Sequence, residues 1–343
     1  MWGFKISSNN LSKAAIWWKA LRYHFVPPSI FPATLGALVA WAVDQTFYPF
    51  YFLLVMIGVI VNHIALNMAD DYFDYKHAVD QLKPEEKNPY TGGSGTLSSG
   101  LIKPSAMLKA FSLCFMITIV VGLFLTATRG LPVLLFGLFG LFCSFFYTAP
   151  PINFSHYGLG EIGQLVNFGT TIGLGSYFVQ TQKIGLEAFV ATLPLGIMLF
   201  SMILINEIPD YREDKLAGKL TLVARYGKRM GVKLYSTSWV FTYAVIILAA
   251  LLNVMPLLTL LALVSMPLAL RSIRILKKNF ENTVGLAPAN LDMIKAHGLT
   301  SFGLIAAYAI SGTVNGANLF QLLFILVILA LVYAPALFAI SKP

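Results

Sequence analysis

Ten stretches of nearly pure hydrocarbon divide this chain of 343 residues, and their length limits the fold more than anything else in it. They fall at about 30–46, 50–70, 105–127, 131–149, 158–180, 186–208, 233–253, 255–272, 294–313 and 319–340. Runs of about 17 to 25 apolar residues are long enough to cross a bilayer as helices. In hydrocarbon the backbone must satisfy its own hydrogen bonds, and these runs do not alternate as barrel strands would. Only 11% of residues are charged, against about 25% in soluble domains. The expected fold is therefore all-α: a polytopic membrane bundle of nine to ten transmembrane helices around a central cavity, capped by cytoplasmic loops. The whole chain, 1–343, reads as one domain. Residues 1–27 form an interfacial segment, in which Lys13, Lys19 and Arg22 interleave with Leu11, Ala15, Trp18 and Leu21. The stretch 319–340 reads as an extra C-terminal helix. Cys114 and Cys143 lie inside apolar runs and read as small core residues rather than a disulfide.

The loops alternate long (71–104, 209–232, 273–293) and short. Of the 24 Lys and Arg residues, only Arg129 and Lys183 fall in the short set. The positive-inside rule places the long loops and both termini in the cytoplasm, in the plasma membrane. The net charge of +9 is scattered among loops, which suits an anionic lipid leaflet and not nucleic acid.

The 15 acids are less evenly spread: six lie in residues 70–86 and four in 207–214. Both clusters begin where a span ends. Aligned at an offset of 139, N-M-A-D-D-Y-F-D-Y at 67–75 matches N-E-I-P-D-Y-R-E-D at 206–214 as a weak internal repeat. Asn67, Asp71 and Asp74 share one helical face, and so do Asn206, Asp210 and Asp214. His63 stands one turn before Asn67. Two facing carboxylate clusters repel, so a positive group must sit between them. Zinc and copper lack Cys or paired His ligands here, whereas carboxylate and amide oxygens suit a hard ion such as Mg²⁺. Magnesium keeps waters and bridges to phosphate. Nearby Lys76, Arg212, Lys215, Lys219, Arg225 and Lys228 supply further phosphate contacts. The pattern describes a receptor for a diphosphate with a lipid tail, and D-D-Y-F-D matches the D-D-x-x-D pattern of soluble isoprenoid synthases.

At these residues the chain resembles the UbiA-type membrane prenyltransferases. Within that family it is most similar to the MenA branch, the 1,4-dihydroxy-2-naphthoate prenyltransferases. N-P-Y-T-G-G-S-G-T-L (88–97), Y-T-A-P-P-I-N-F (147–154) and G-L-G-E-I (158–162) carry the closer match. Asp70 departs from the pattern, standing where many relatives carry asparagine. The resemblance implies Mg²⁺-dependent transfer of a prenyl group from a prenyl diphosphate to an aromatic acceptor in menaquinone biosynthesis. It implies two ions held by Asp71, Asp74, Asp210 and Asp214, with Asp80 following the first motif. Asn67 and Asn206 orient the ligands or contact diphosphate. Lys76, Arg212, Lys215 and Lys219 contact diphosphate. Phe73, Tyr147, Phe168 and Tyr177 are candidate cavity walls, and Glu161 shapes the acceptor site or caps a helix. Two alternatives stay open: a relative with another acceptor (4-hydroxybenzoate, haem, a chlorophyllide or a glycerol phosphate lipid), and an ion-coupled membrane transporter.

Overall fold

The computed structural model describes residues 12–77, 88 and 90–340. Asp80 and most of the segment before α1 lie outside the described residues. Among those described, every regular element is a helix. The order is α1 (Lys13–Leu21), α2 (Pro27–Val43), α3 (Pro49–Lys76), α4 (Pro104–Arg129), α5 (Pro132–Phe145), α6 (Gly160–Val166), α7 (Ile172–Thr181), α8 (Leu186–Leu216), α9 (Leu222–Tyr226), α10 (Lys228–Leu251), α11 (Met266–Asn279), α12 (Ala287–Val314) and α13 (Leu319–Ile340). A tight helical run, Leu257–Ser265, leads into α11. Proline opens α2, α3, α4 and α5, where its missing N–H costs nothing and its fixed φ favours the first turn.

The protein is an integral, multi-pass membrane protein. Among the described residues seven helices are long and apolar enough to cross a bilayer, or eight if the pair Lys13–Phe25 and Pro27–Val43, bent by 52°, counts as one span. This corrects the expected nine to ten. The stretch 131–149 yields only the 14 residues of α5, about 21 Å of helix against a hydrocarbon core of about 30 Å. The stretch 158–180 carries α6 and α7 on either side of a π turn at Asn167–Thr171, and neither α segment alone reaches spanning length. Hydrophobic length alone does not reveal such a turn.

Helix α2 runs through the middle and is buried along nearly its whole length. Its approach to α7 is set by Gly36: a Cβ there would lie 2.0 Å from the Gly173 carbonyl oxygen. Small residues are the usual means of close helix contact in membranes. Gly36→Ala is therefore expected to destabilise the bundle by about 1–3 kcal/mol, read as a lower melting temperature in detergent. Helix α13 closes over α2, with Tyr23 Oη donating to the Val332 carbonyl and Trp41 Nε1 to that of Asn318. Buried hydroxyls join the other helices: Tyr235 Oη meets Ser272 Oγ at 2.5 Å, and Ser265 Oγ meets Thr300 Oγ1 at 2.7 Å.

Helices α3 and α8, of 28 and 31 residues, are about 42 and 46 Å long, well beyond the hydrocarbon thickness. Their last turns carry the two acid motifs, so excess length delivers both to the same end of the bundle.

Candidate functional site

The first acid motif is gripped by a residue far away in sequence. Arg22 caps α1 in the left-handed region (φ 49°) and turns its guanidinium onto α3. Its Nη1 lies 3.2 Å from Asp70 Oδ2 and 3.2 Å from Asp71 Oδ1, and Nη2 donates to the Gly92 carbonyl at 3.2 Å. The Ser94 N–H donates to both oxygens of Asp71 at 3.1 Å. Gly95, next in that loop, has φ 69°, which only glycine adopts cheaply. Asn67 Nδ2 donates to the carbonyls of Leu21 and Arg22, holding the Arg22 turn in place. The same loop is tied across the bundle by asparagines. Asn88 Nδ2 donates to Asn290 Oδ1 at 3.0 Å, and Asn290 Nδ2 to Asn206 Oδ1 at 2.7 Å. Both motif asparagines therefore orient neighbouring chain.

The two motifs meet at Lys219. Its Nζ lies 2.9 Å from Asp74 Oδ2, and its backbone N–H donates to the Asp214 carbonyl at 2.8 Å. Burial opposes its charge, yet the carboxylates of Asp74, Asp214 and Asp70 outweigh burial and hold its pKa well above the usual lysine value. Asp210 lies beside Asp214. The positive charge demanded between the acid clusters is thus supplied within the chain by Lys219 and Arg22. Asp74 Oδ1 and Asp70 Oδ1 remain buried without a hydrogen-bond partner.

The other expected cations stand elsewhere. Lys76 is exposed and lies over the Tyr72 ring, 5.8 Å from its centroid. Lys215 is exposed and reaches Tyr211. Arg212 and Arg225 are exposed, and Lys228 pairs with Glu281 at 3.5 Å. Of the candidate walls, Phe73 packs edge-on against Phe145, and Phe168 packs against His63, whose Nδ1 meets Ser29 Oγ at 2.7 Å. Tyr177 is at the opposite end of the bundle, donating to Asp44 at 2.7 Å, so it does not line this site.

The segment between α5 and α6 folds against the 217–222 loop, with the Leu220 N–H donating to the His156 carbonyl at 3.1 Å. Glu161 Oε1 accepts the Leu222 N–H at 2.6 Å. Tyr147 lies among Lys219, Glu207, Asp70 and Glu161. Burial, with Lys219 and His77 beside it, lowers the His156 pKa from 6.5 to about 4. The unfolded chain then binds a proton that the folded chain refuses. Stability from this group is full above pH 6.5 and is lost as pH falls toward 4. Melting temperature is expected to drop less steeply across that window in His156→Asn than in the wild type.

Sequence spacing selected Asp74, Asp214 and Lys219 and missed Arg22, Ser94, Asn88, Asn290 and His156, which reach the site through tertiary contacts. Glu207 was legible: Glu207, Asp210 and Asp214 stand at i, i+3 and i+7 on one helical face.

Oxygen-only donors fit a hard divalent ion. Among the described residues no group of three His, Cys, Asp or Glu side chains is placed to hold a metal ion. Magnesium is ordinarily held by one or two carboxylates and completed by water and phosphate. Phe73 packs on Phe145, which also lines an apolar groove of about 780 Å³ between α4 and α5, with Phe111, Phe115, Ile119, Leu138 and Phe142.

The family model described as "UbiA prenyltransferase family" matches residues 29–284. The chain is 27% identical over 236 residues to the 1,4-dihydroxy-2-naphthoate octaprenyltransferase of Bacillus subtilis, covering 68% of this chain and 72% of that protein. It is 22% identical over 299 residues to the 2-carboxy-1,4-naphthoquinone phytyltransferase of Synechocystis sp., covering 87% and 94%. In structure it is similar to a UbiA homolog from Archaeoglobus fulgidus bound to DMAPP and Mg²⁺, with a TM-score of 0.65 and 13% identity over 87% of this chain and 99% of that one. At that identity the likeness shows the fold.

Proposed function

Because the chain belongs to the UbiA prenyltransferase family, we propose that this prenyltransferase moves a prenyl group from a prenyl diphosphate to 1,4-dihydroxy-2-naphthoate, a step of menaquinone biosynthesis. The observation that carries this reading is the convergence of both acid motifs on Lys219 at one end of the bundle. The naphthoate relatives support the acceptor, and the lysine- and arginine-rich long loops support a site facing the cytoplasm from the plasma membrane.

In this reading Asp74 would hold one Mg²⁺ ion with its unpartnered oxygen, and Asp210 and Asp214 a second. Asp71, whose oxygens are taken by Ser94 and Arg22, positions the motif. When bound, magnesium supplies positive charge to the departing diphosphate. Lys219 adds its ammonium there, and Arg22 fixes the aspartates so that no reorganisation is needed as the C–O bond breaks. The diphosphate leaves with the bonding electrons, the allylic carbon joins a ring carbon, and that ring carbon gives up a proton or carbon dioxide. Aromatic packing around Phe73 and Phe145 keeps water from the cation, and the groove between α4 and α5 offers the tail a path to lipid. The family leaves the ion-coupled carrier without support.

The test uses purified protein in detergent with Mg²⁺, labelled prenyl diphosphate and a panel of acceptors. Pyrophosphate release with prenylation of the naphthoate is expected, and EDTA should silence it until Mg²⁺ is restored. Faster transfer to 4-hydroxybenzoate or to a glycerol phosphate lipid would replace the acceptor. No transfer to any aromatic ring would overturn the reading.

A further inference from the structure

Next to Lys219 lies a second polar nest that the diphosphate chemistry does not use. Glu161 is 1% exposed, and its Oε2 has no hydrogen-bond partner. Glu207, on the neighbouring turn of α8, is 8% exposed and lies within hydrogen-bond reach of Glu161, and no other donor in the chain meets its Oε2. Ser155 Oγ and His156 Nε2, buried on the same loop, are unpartnered too. Ser155 and Tyr147 both press on Gly160, where a Cβ would lie 3.0 Å from the Tyr147 ring and 3.0 Å from the Ser155 Cα. His156 and Tyr147 both stand near Lys219.

Buried polar atoms in native proteins nearly always have partners in the chain, in water or in a ligand, so four such atoms on neighbouring segments mark a place where a polar group from outside the chain can be taken up. Two carboxylates facing each other repel and are eased by hydrogen-bond donors placed between them. An aromatic ring bearing hydroxyl groups answers each feature. Its O–H groups donate to the carboxylates, its remaining oxygens meet Ser155 and a neutral His156, and its face lies against Tyr147.

We propose that Glu161 and Glu207, with Ser155 and His156, form the acceptor subsite, in which the two carboxylates take hydrogen bonds from the ring hydroxyls. The assignment rests on the proposed aromatic prenyl transfer and names the groups that read the acceptor. Hydroxyl donation to a carboxylate pushes electron density into the ring, and the nest's place beside Lys219 sets that ring against the allylic carbon. A site built to bond a hydroxyl also rejects rings that lack one, because its buried acceptors are then left unpaired.

The test measures binding of 1,4-dihydroxy-2-naphthoate and its methyl ethers by naphthol fluorescence. The full chain is held in detergent with Mg²⁺ and an unreactive prenyl thiolodiphosphate, and donor binding is followed separately with labelled prenyl diphosphate. Methylating the hydroxyls is expected to weaken binding to the wild type by about 10- to 100-fold. Glu161→Gln and Glu207→Gln should weaken the parent acceptor by a similar factor, leave donor binding unchanged, and remove the penalty for methylation. Equal binding of ethers and parent by the wild type overturns the proposal, and that arm needs no variant to fold. So does wild-type acceptor affinity in both glutamine variants while transfer proceeds normally, a result that leaves the prenyl-transfer reading intact. Failure of that reading looks different: the wild type then prenylates no aromatic ring, and this proposal falls with it.

Discussion

Lys219→Met is expected to reduce prenyl transfer by about 10²–10³-fold, the usual loss when a charge-stabilising group is removed from a developing anion. The same substitution should destabilise the fold by about 3 kcal/mol, because it strips the buried counter-charge from Asp74 and from the acids beside it. Asp74 loses its partner at 2.9 Å, and Asp214 and Asp70 lose the cation between them. The two effects separate with magnesium. A divalent ion restores positive charge to the acid cluster, so Mg²⁺ should raise the melting temperature of the variant more than that of the wild type, while activity stays low. The contribution of Lys219 to stability has a defined pH range. Its folded pKa lies above the ordinary 10.5, so its stabilisation is complete at neutral pH and is lost only as pH rises past that value. A variant with near wild-type turnover would remove Lys219 from the site.

Helix spacing placed the candidate aspartates on shared faces because that information is local. Asp71 and Asp74 share a face of α3, Asp210 and Asp214 share a face of α8, and Lys219 follows within a short loop. What spacing does not carry is which face meets which partner. Arg22 looks like any basic residue of an interfacial helix. It becomes part of the site only because the αL turn at the end of α1 aims it at α3 across 48 residues. Asn88 and Asn290 are 202 residues apart, and although Asn88 opens the 88–97 stretch, no local spacing pairs it with Asn290. The span count was overread for a related reason. Apolar length measures what lipid or protein interior tolerates, and the π turn at Asn167–Thr171 interrupts a run that composition leaves whole. Lys76, Arg212 and Lys215 show the same limit: proximity in sequence to an acidic motif does not fix the direction of a long side chain on a helix, and all three are exposed.

Asp71 and Asp74 are three residues apart on one helix, yet their substitution should fail in different ways. Asp74 keeps a buried, unpartnered Oδ1 beside the cation that joins the motifs. Asp74→Asn is expected to cost about 10³-fold in turnover, the effect of losing charge at a metal–diphosphate site, and to shift the Mg²⁺ requirement upward. Both oxygens of Asp71 already accept hydrogen bonds, Oδ1 from Arg22 and Ser94 and Oδ2 from Ser94. An amide there sets an NH₂ group or a weakened acceptor against the Ser94 N–H and strips Arg22 of a buried partner, a change that costs about 3 kcal/mol. The 90–100 loop, which that carboxylate and the Arg22–Gly92 contact hold alongside the Asn88–Asn290 bond, should then be cut faster by protease. Activity would fall with it, but the Mg²⁺ requirement of the folded fraction should stay close to that of the wild type. Melting curves, limited proteolysis and Mg²⁺ titrations on the two variants distinguish the roles. An Asp71→Asn chain with an unaltered melting temperature and a raised Mg²⁺ requirement would make Asp71 a ligand after all.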